Sequence, residues 1–295
     1  MHKSVLLKES IEALALEEGK TFLDGTVGSG GHSAAVAHKW GKSVTIIGLD
    51  RDSDAIKRSE ERLRTLDAKF FLKQESFRNL DQVLEELDIS SVDAILLDLG
   101  LSSDQFEEGE RGFSFQNNGP LTMTMKKNPD AEDLTAEKIL NTFSESALEL
   151  ILRGFGEEKY SRKIAREIVE RREVKPFKTT FDLVEAVLAV KPKNFREKIH
   201  PATRVFQALR IATNEELTAL EEGLDKGFQT LKPGGRFAVI SFHSLEDRIV
   251  KQFFRQLADN DKAKIINKKP IVPGDREVEE NPRSRSAKLR IIRKM

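Results

Sequence analysis

Asp24-Gly25-Thr26-Val27-Gly28-Ser29-Gly30-Gly31 separates a short apolar run, Thr21 to Asp24, from a segment with helical periodicity, Gly31 to Trp40. Glycines let a chain turn tightly and let a ligand approach the main chain, and a helix that starts at such a turn directs its positive end there. Working outward, Val44 to Asp50, Lys69 to Lys73 and Val92 to Leu99 read as strands, and Ser53 to Leu66 and Phe77 to Leu87 as helices. This βα alternation predicts a parallel sheet. Val92 to Leu99 is almost continuously apolar, as expected of a central strand covered on both faces.

The alternation stops near Gln105 and resumes with a helix from Asn214, periodic through Leu217, Leu220, Leu224 and Leu231 and stopped by Pro233-Gly234-Gly235. A strand, Arg236 to Phe242, a helix, Leu245 to Leu257, and a last strand, Ala287 to Arg293, follow. Between the two α/β parts the chain reads as helices only: Ala136 to Thr142, Ser146 to Arg153, Glu158 to Arg172 and Phe181 to Val190, the last preceded by Thr179 with Asp182 at capping-box spacing. The fold expected is α/β, a doubly wound, mostly parallel sheet with an inserted all-helical domain. Residues 1–104 and 206–295 form its core and 105–205 the insertion.

Cysteine is absent, which excludes disulfides, thiolate nucleophiles and cysteine metal sites. The five histidines, His2, His32, His38, His200 and His243, show no ligand spacing, so no metal site is expected. No apolar run approaches the ~20 residues of a membrane span and no signal peptide is evident, so a soluble, cytoplasmic protein is expected. The net charge of zero conceals segregation: residues 153–210 carry 15 Lys and Arg against 8 Asp and Glu, and residues 262–295 carry 11 against 4. Two basic regions of +7 each point to a polyanionic partner, or to solvated helix faces. On a helical wheel Lys159, Arg162, Lys163 and Arg166 share one face, opposite Tyr160, Ile164 and Ile168.

Two acids accompany the glycine loop. Asp24 sits in the turn, and Asp50 ends the second strand where an acidic side chain accepts both ribose hydroxyls of a nucleoside. A dinucleotide pyrophosphate needs a loop clear of negative charge, whereas Asp24 suits the ammonium or sulfonium of S-adenosylmethionine, so the methyl donor is favoured. Asp98, at the end of the fourth strand, and Gln105 are candidates for holding the adenine or the amino-acid end. Phe242 and His243 end the strand after the insertion, where a Phe can stack on a base and a His can accept a proton or fill a structural role. Arg111-Gly112-Phe113-Ser114-Phe115 offers aromatic stacking or loop anchoring, and Asn281 to Lys288 a phosphate clamp or a solvated tail.

Asp24 to Ser33 resembles the signature of the bacterial 16S rRNA cytosine-N4 methyltransferases, the MraW family. Gly48 to Asp52, Leu96 to Gly100, Glu110 to Phe115, Gly156 to Glu158, His200 to Thr203, Ile240 to Arg248 and Asn281 to Leu289 agree in the same order, over nearly the whole chain. The resemblance implies a Rossmann-like class I methyltransferase core, a helical insertion that recognises RNA, and action on the decoding-centre cytidine of the small subunit. It also implies donor contacts from Gly30, Gly31, His32, Asp50, Phe77, Asp98 and Gln105, beside the loop positions Asp24 and Gly28. One stretch departs. Where the family usually reads Gly-Pro-Leu-Asp-Met-Arg-Met-Asp, this chain has Gly119-Pro120-Leu121-Thr122-Met123-Thr124-Met125-Lys126.

The exocyclic amine of cytosine is a poor nucleophile, so a catalyst must hold it and accept its proton. The roles expected are orientation of the base by Asp98 and the Leu99 to Ser103 loop, Ser102 included, stacking by Phe242, and proton acceptance by His243 or a water beside it. The alternative function is a non-catalytic, S-adenosylmethionine-binding RNA chaperone or assembly factor. A small-molecule methyltransferase would not need two cationic regions. The oligomeric state is left open, a homodimer included.

Overall fold

A computed structural model describes residues 3–100, 111–191 and 199–295. Before the insertion come α1 (Leu7–Leu14), β1 (Thr21–Asp24), α2 (Gly31–Trp40), β2 (Thr45–Asp50), α3 (Ser53–Arg64), β3 (Lys69–Gln74), α4 (Leu80–Glu86) and β4 (Val92–Asp98). Then follow α5 (Ala136–Thr142), α6 (Glu145–Gly156), α7 (Ser161–Val174), α8 (Thr180–Val190) and α9 (Thr203–Asn214). The chain ends with α10 (Glu216–Thr230), β5 (Leu231–Ser241), α11 (Ser244–Asp259), β6 (Ala263–Ile265), α12 (Asp275–Glu280) and β7 (Lys288–Lys294). Contacts group Met1–Gly100 with Leu217–Met295 in one unit and Leu101–Glu216 in a second.

In the first unit the strands run β3-β2-β1-β4-β5-β7-β6, parallel from β3 to β5, with β7 antiparallel to both its neighbours. Alternating strand residues feed two cores. Leu23, Ile95 and Leu97 pack with Leu84, Leu224 and Phe254 of α4, α10 and α11. Phe22, Ala94 and Leu96 pack with Leu14 and Val36 of α1 and α2. The sheet is covered on both faces, as the unbroken apolar run in β4 requires. Chain order reverses between β1 and β4, which opens a crevice at their carboxyl ends.

Pro233-Gly234-Gly235 does not stand between helix and strand as expected. β5 already begins at Leu231, opposite Val92, and the register shifts before Arg236 pairs with Ala94. The extra residues form a bulge, with Gly234 at φ +81°, where a proline is tolerated because no ladder bond is asked of it.

The second unit packs α5 to α9 around Leu140, Leu152, Ile164, Ile168, Leu183 and Leu209. Thr179 and Asp182 form the capping box that starts α8. Helix α7 begins at Ser161, later than Glu158, because the Glu158 carboxylate accepts the Tyr160 amide at 2.9 Å and Glu157 caps α6 in a left-handed conformation. The periodic helix expected from Asn214 is α10, which begins two residues later, at Glu216, because Glu215 turns left-handed with φ +50° and Asn214 ends α9, a helix the sequence did not mark. Asn214 closes α9 and donates to Met123 O (2.7 Å) while its Oδ1 accepts the Met125 amide (2.8 Å). Residues 206–214, expected with the core, therefore belong to the helical unit.

Asn214 also braces the stretch that departs from the family pattern. Thr122 Oγ1 donates to Arg111 O at 2.9 Å, the Lys126 amide donates to Thr124 Oγ1, and the Lys126 ammonium pairs with Asp130 and Asp133. The local polar groups are thus satisfied without the family's acids and Arg. Phe113 is in the core and Phe115 stacks on His200, ring centroids 4.7 Å apart, so both anchor the loop internally.

Candidate cofactor and active site

The glycine loop is shaped by backbone demands that glycine meets most readily. Gly28 and Gly30 adopt φ of +53° and +74°, and a side chain at Gly31 would collide with Ser4 Oγ. Around this cradle the carboxylates of Asp24, Asp50 and Asp98 stand at the ends of β1, β2 and β4. Ser33 Oγ donates to Asp24 Oδ2 at 2.7 Å and the Thr26 amide to its Oδ1. Asp50 accepts the amides of Gly28 and Asp52, each at 2.9 Å, which ties the second strand end to the loop. The Asp98 amide donates to Thr26 Oγ1 at 2.6 Å, while its Oδ1 has no hydrogen-bond partner among the described residues.

Burial dominates the electrostatics. Loss of hydration pushes Asp24 up to about 6 although Ser33 and Thr26 oppose it, and pushes Asp50 up to about 6 against the amides of Asp52 and Gly28. Asp98 is raised well above the carboxylate range by burial, then by the negative charges of Asp24 and Glu246. Three carboxylates that resist ionisation together form a site that a cation would relieve.

His32 is buried at the start of α2, with Nε2 3.1 Å from Val5 O. A carbonyl only accepts, so Nε2 carries the proton, and Nδ1 faces Asp98 Oδ2 at 3.9 Å. The segment that supplies Val5 is fastened from the far end of the chain. Glu277 of α12 accepts the Leu6 amide at 2.7 Å, Glu280 pairs with Lys3 at 2.8 Å, and Asn281 donates to Lys3 O. Phe77 lies against Gly25, and Gly223 of α10 has room for it only because it lacks a Cβ.

At the end of β5, Phe242 is partly buried and lies alongside Gly100. His243 is the N-cap of α11: its Nδ1 accepts the Glu246 amide at 3.3 Å, and Glu246 Oε2 accepts the amides of Phe242 and His243. His243 Nε2 lies 3.1 Å from Glu246 Oε1 without forming a hydrogen bond to it, and is buried with no hydrogen-bond partner among the described residues. The cap fixes the ring at the start of α11.

Asp24, Gly28, Gly30, Gly31, His32, Asp50, Phe77 and Asp98 thus surround one loop, and Phe242 with His243 ends the strand beside β4. Ser102 and Gln105 lie outside the described residues. Sequence reasoning missed Thr26, Ser33, Val5, Glu246 and Glu277. Of these only Glu246 left a trace, a carboxylate three residues after a strand-ending residue, hidden because His is an uncommon cap.

The family model described as the MraW methylase family matches residues 1–295. Proteins named ribosomal RNA small subunit methyltransferase H are similar along the whole chain. The one from Carboxydothermus hydrogenoformans is 43% identical over 310 residues, covering 100% of this chain and 98% of its own. That from Magnetococcus marinus is 45% identical over 312 residues, covering 100% and 98%, and that from a Sulfurihydrogenibium species 46% over 295 residues, covering 100% and 99%.

Proposed function

The chain belongs to the MraW methylase family, and from that premise we propose that it transfers a methyl group from S-adenosylmethionine to N4 of a cytidine in the decoding centre of 16S rRNA. The observation that carries this reading is the set of carboxylates, Asp24, Asp50 and Asp98, gathered at three neighbouring strand ends around the glycine loop. S-adenosylmethionine supplies an electrophilic methyl group on a sulfonium. Asp50 accepts the ribose hydroxyls, the amides of Gly30 and Gly31 and the ring of Phe77 border the nucleoside, and Asp24 faces the positive end of the donor. Gln105 completes the contacts.

Asp98 accepts a hydrogen bond from the cytosine amine and, as the N–C bond forms, takes its proton. A carboxylate that favours its protonated form is a stronger base than an exposed one, and the proton ends where burial stabilises it. His32, with its proton held toward Val5 O, presents an acceptor nitrogen toward Asp98. Phe242 stacks on the base, Ser102 helps orient it, and His243 holds the turn that aims Phe242. Since the amine is inaccessible in a paired base, the nucleotide enters unpaired or flipped. The helical unit recognises the RNA of the small subunit, so the site of action is the bacterial cytoplasm.

Incubation with labelled donor and 16S rRNA, 30S subunits or a metabolite pool, followed by nucleoside analysis, tests this. N4-methylcytidine at one decoding-centre position is expected. Label in metabolites alone would contradict the rRNA reading, and donor binding without transfer to any pool would favour an assembly factor.

A further inference from the structure

In the helical unit, α7 is built against its own electrostatics. A helix start carries partial positive charge and is stabilised by acids in the first turn. Helices α5, α6 and α8 obey, with Glu137, Glu145 and Asp182. Helix α7 has no acid in its first turn and no side-chain cap. Lys159 stands in the turn before it and Arg162, Lys163 and Arg166 in its opening turns, all exposed. Arg162 and Arg166 are a like-charge pair four residues apart within the helix, a spacing that destabilises it.

Nothing among the described residues neutralises them. None of these side chains makes an ion pair or hydrogen bond there, although acids are near: Glu158 is buried and turned to Lys191 and the Tyr160 amide. The arginines in the second half of the same helix are partnered. Arg171 pairs with Glu167 at 2.6 Å, and Arg172 donates to the carbonyls of Leu140 and Phe143. The opposite face, Ile164, Ala165 and Ile168, is core, so packing holds the cations in place. Tyr160, just before the helix, is 43% exposed and its ring lies under the Lys191 ammonium, 5.9 Å from the ring centroid.

We infer that the first turns of α7, with Lys159, Arg162, Lys163 and Arg166, form an RNA phosphate-binding surface. This rests on the rRNA reading and deepens it by naming the side chains that meet the backbone. Phosphates fit because they supply the missing negative charge to four side chains within two helical turns, without requiring a particular base sequence.

The test compares R162Q/R166Q with wild type in binding deproteinised 16S rRNA across a salt series, and in thermal unfolding. Each lost phosphate contact lowers the slope of log affinity against log salt by about 0.7 to 0.9. The double variant is therefore expected to lose about 1.5 from that slope and at least about tenfold in affinity at physiological salt. Its unfolding midpoint should equal or exceed wild type, because a repulsion is removed. K251Q/R255Q, which removes the same charge from an exposed face of α11, should change neither slope nor affinity. An unchanged slope, an equal loss in both variants, or a lowered midpoint in R162Q/R166Q would overturn the surface. Wild-type protein that binds rRNA without methylating it would contradict the proposed function and leave the slope decisive for the surface, whereas wild-type protein that does not bind rRNA would overturn both.

Discussion

The glycine loop of the α/β unit and the first turns of α7 in the helical unit depart from stable design in opposite ways. At the loop, carboxylates are withdrawn from water until they resist ionisation. On α7, cations are left in water but set against one another and against the helix dipole. The first arrangement makes a geometrically demanding site for a positively charged ligand. The second makes a shallow and forgiving one for a polyanion. Burial amplifies each charge at the loop, so single substitutions there should have large effects, whereas on the exposed helix the contribution is distributed and screened by salt.

Perturbing the first site should break this contrast most visibly at Asp98. D98N keeps the shape but cannot take a proton, and single-turnover methyl transfer should fall by about 10²- to 10⁴-fold. A rate within a few-fold of wild type would remove Asp98 from the chemistry. Next comes Asp50. D50A removes charged hydrogen bonds of about 1.5–3 kcal/mol, so donor affinity by calorimetry should weaken by roughly ten- to a hundredfold.

Smaller effects should follow from the fastening of the N-terminal segment. E277A frees the Leu6 amide, loosens Val5 over His32 and should weaken donor binding several-fold, while E277Q, which retains an acceptor oxygen, should bind as wild type does. Equal behaviour of the two would mean that the clasp does not reach the loop. The smallest effect sharpens the role of His243. H243A loses the N-cap of α11 and should cost about 1 kcal/mol of stability. H243N restores a capping oxygen and should recover both stability and transfer rate. Recovered stability with a lost rate would assign proton acceptance to His243 instead.

The parts of the molecule that were legible in the sequence are those with a local cause. Thr21 to Asp24 and Gly31 to Trp40 form the strand and helix expected around the loop, and the apolar run ending at Asp98 is the central strand. The acids at their ends could be placed because strand ends are fixed by the alternation itself. What stayed hidden depends on distant partners. Glu277 meets Leu6 across 271 residues, with no periodicity to betray it. The break at Glu215 is a left-handed turn made without glycine or proline, so nothing local marks where α9 ends and α10 begins, and the bulge in β5 looks like a terminator because Pro-Gly-Gly usually is one. Asp98 was visible as a strand-end acid, but its orphaned oxygen and raised proton affinity follow only from what surrounds it.

Donor binding measured calorimetrically at pH 6 in two buffers of different ionisation enthalpy addresses the buried carboxylates most directly. Their folded-state pKa values lie above the unfolded value of 3.8, at about 6 for Asp24 and Asp50, so without donor the fold loses stability as pH rises through that interval. A donor whose positive end meets Asp24 and whose ribose hydroxyls donate to Asp50 favours the ionised form of both and reverses the shift, so affinity should rise with pH up to about 6 and then level. Two groups each about half protonated at pH 6 should release about one proton on binding. Zero release or net uptake would contradict a site in which buried aspartates hold the donor's positive charge.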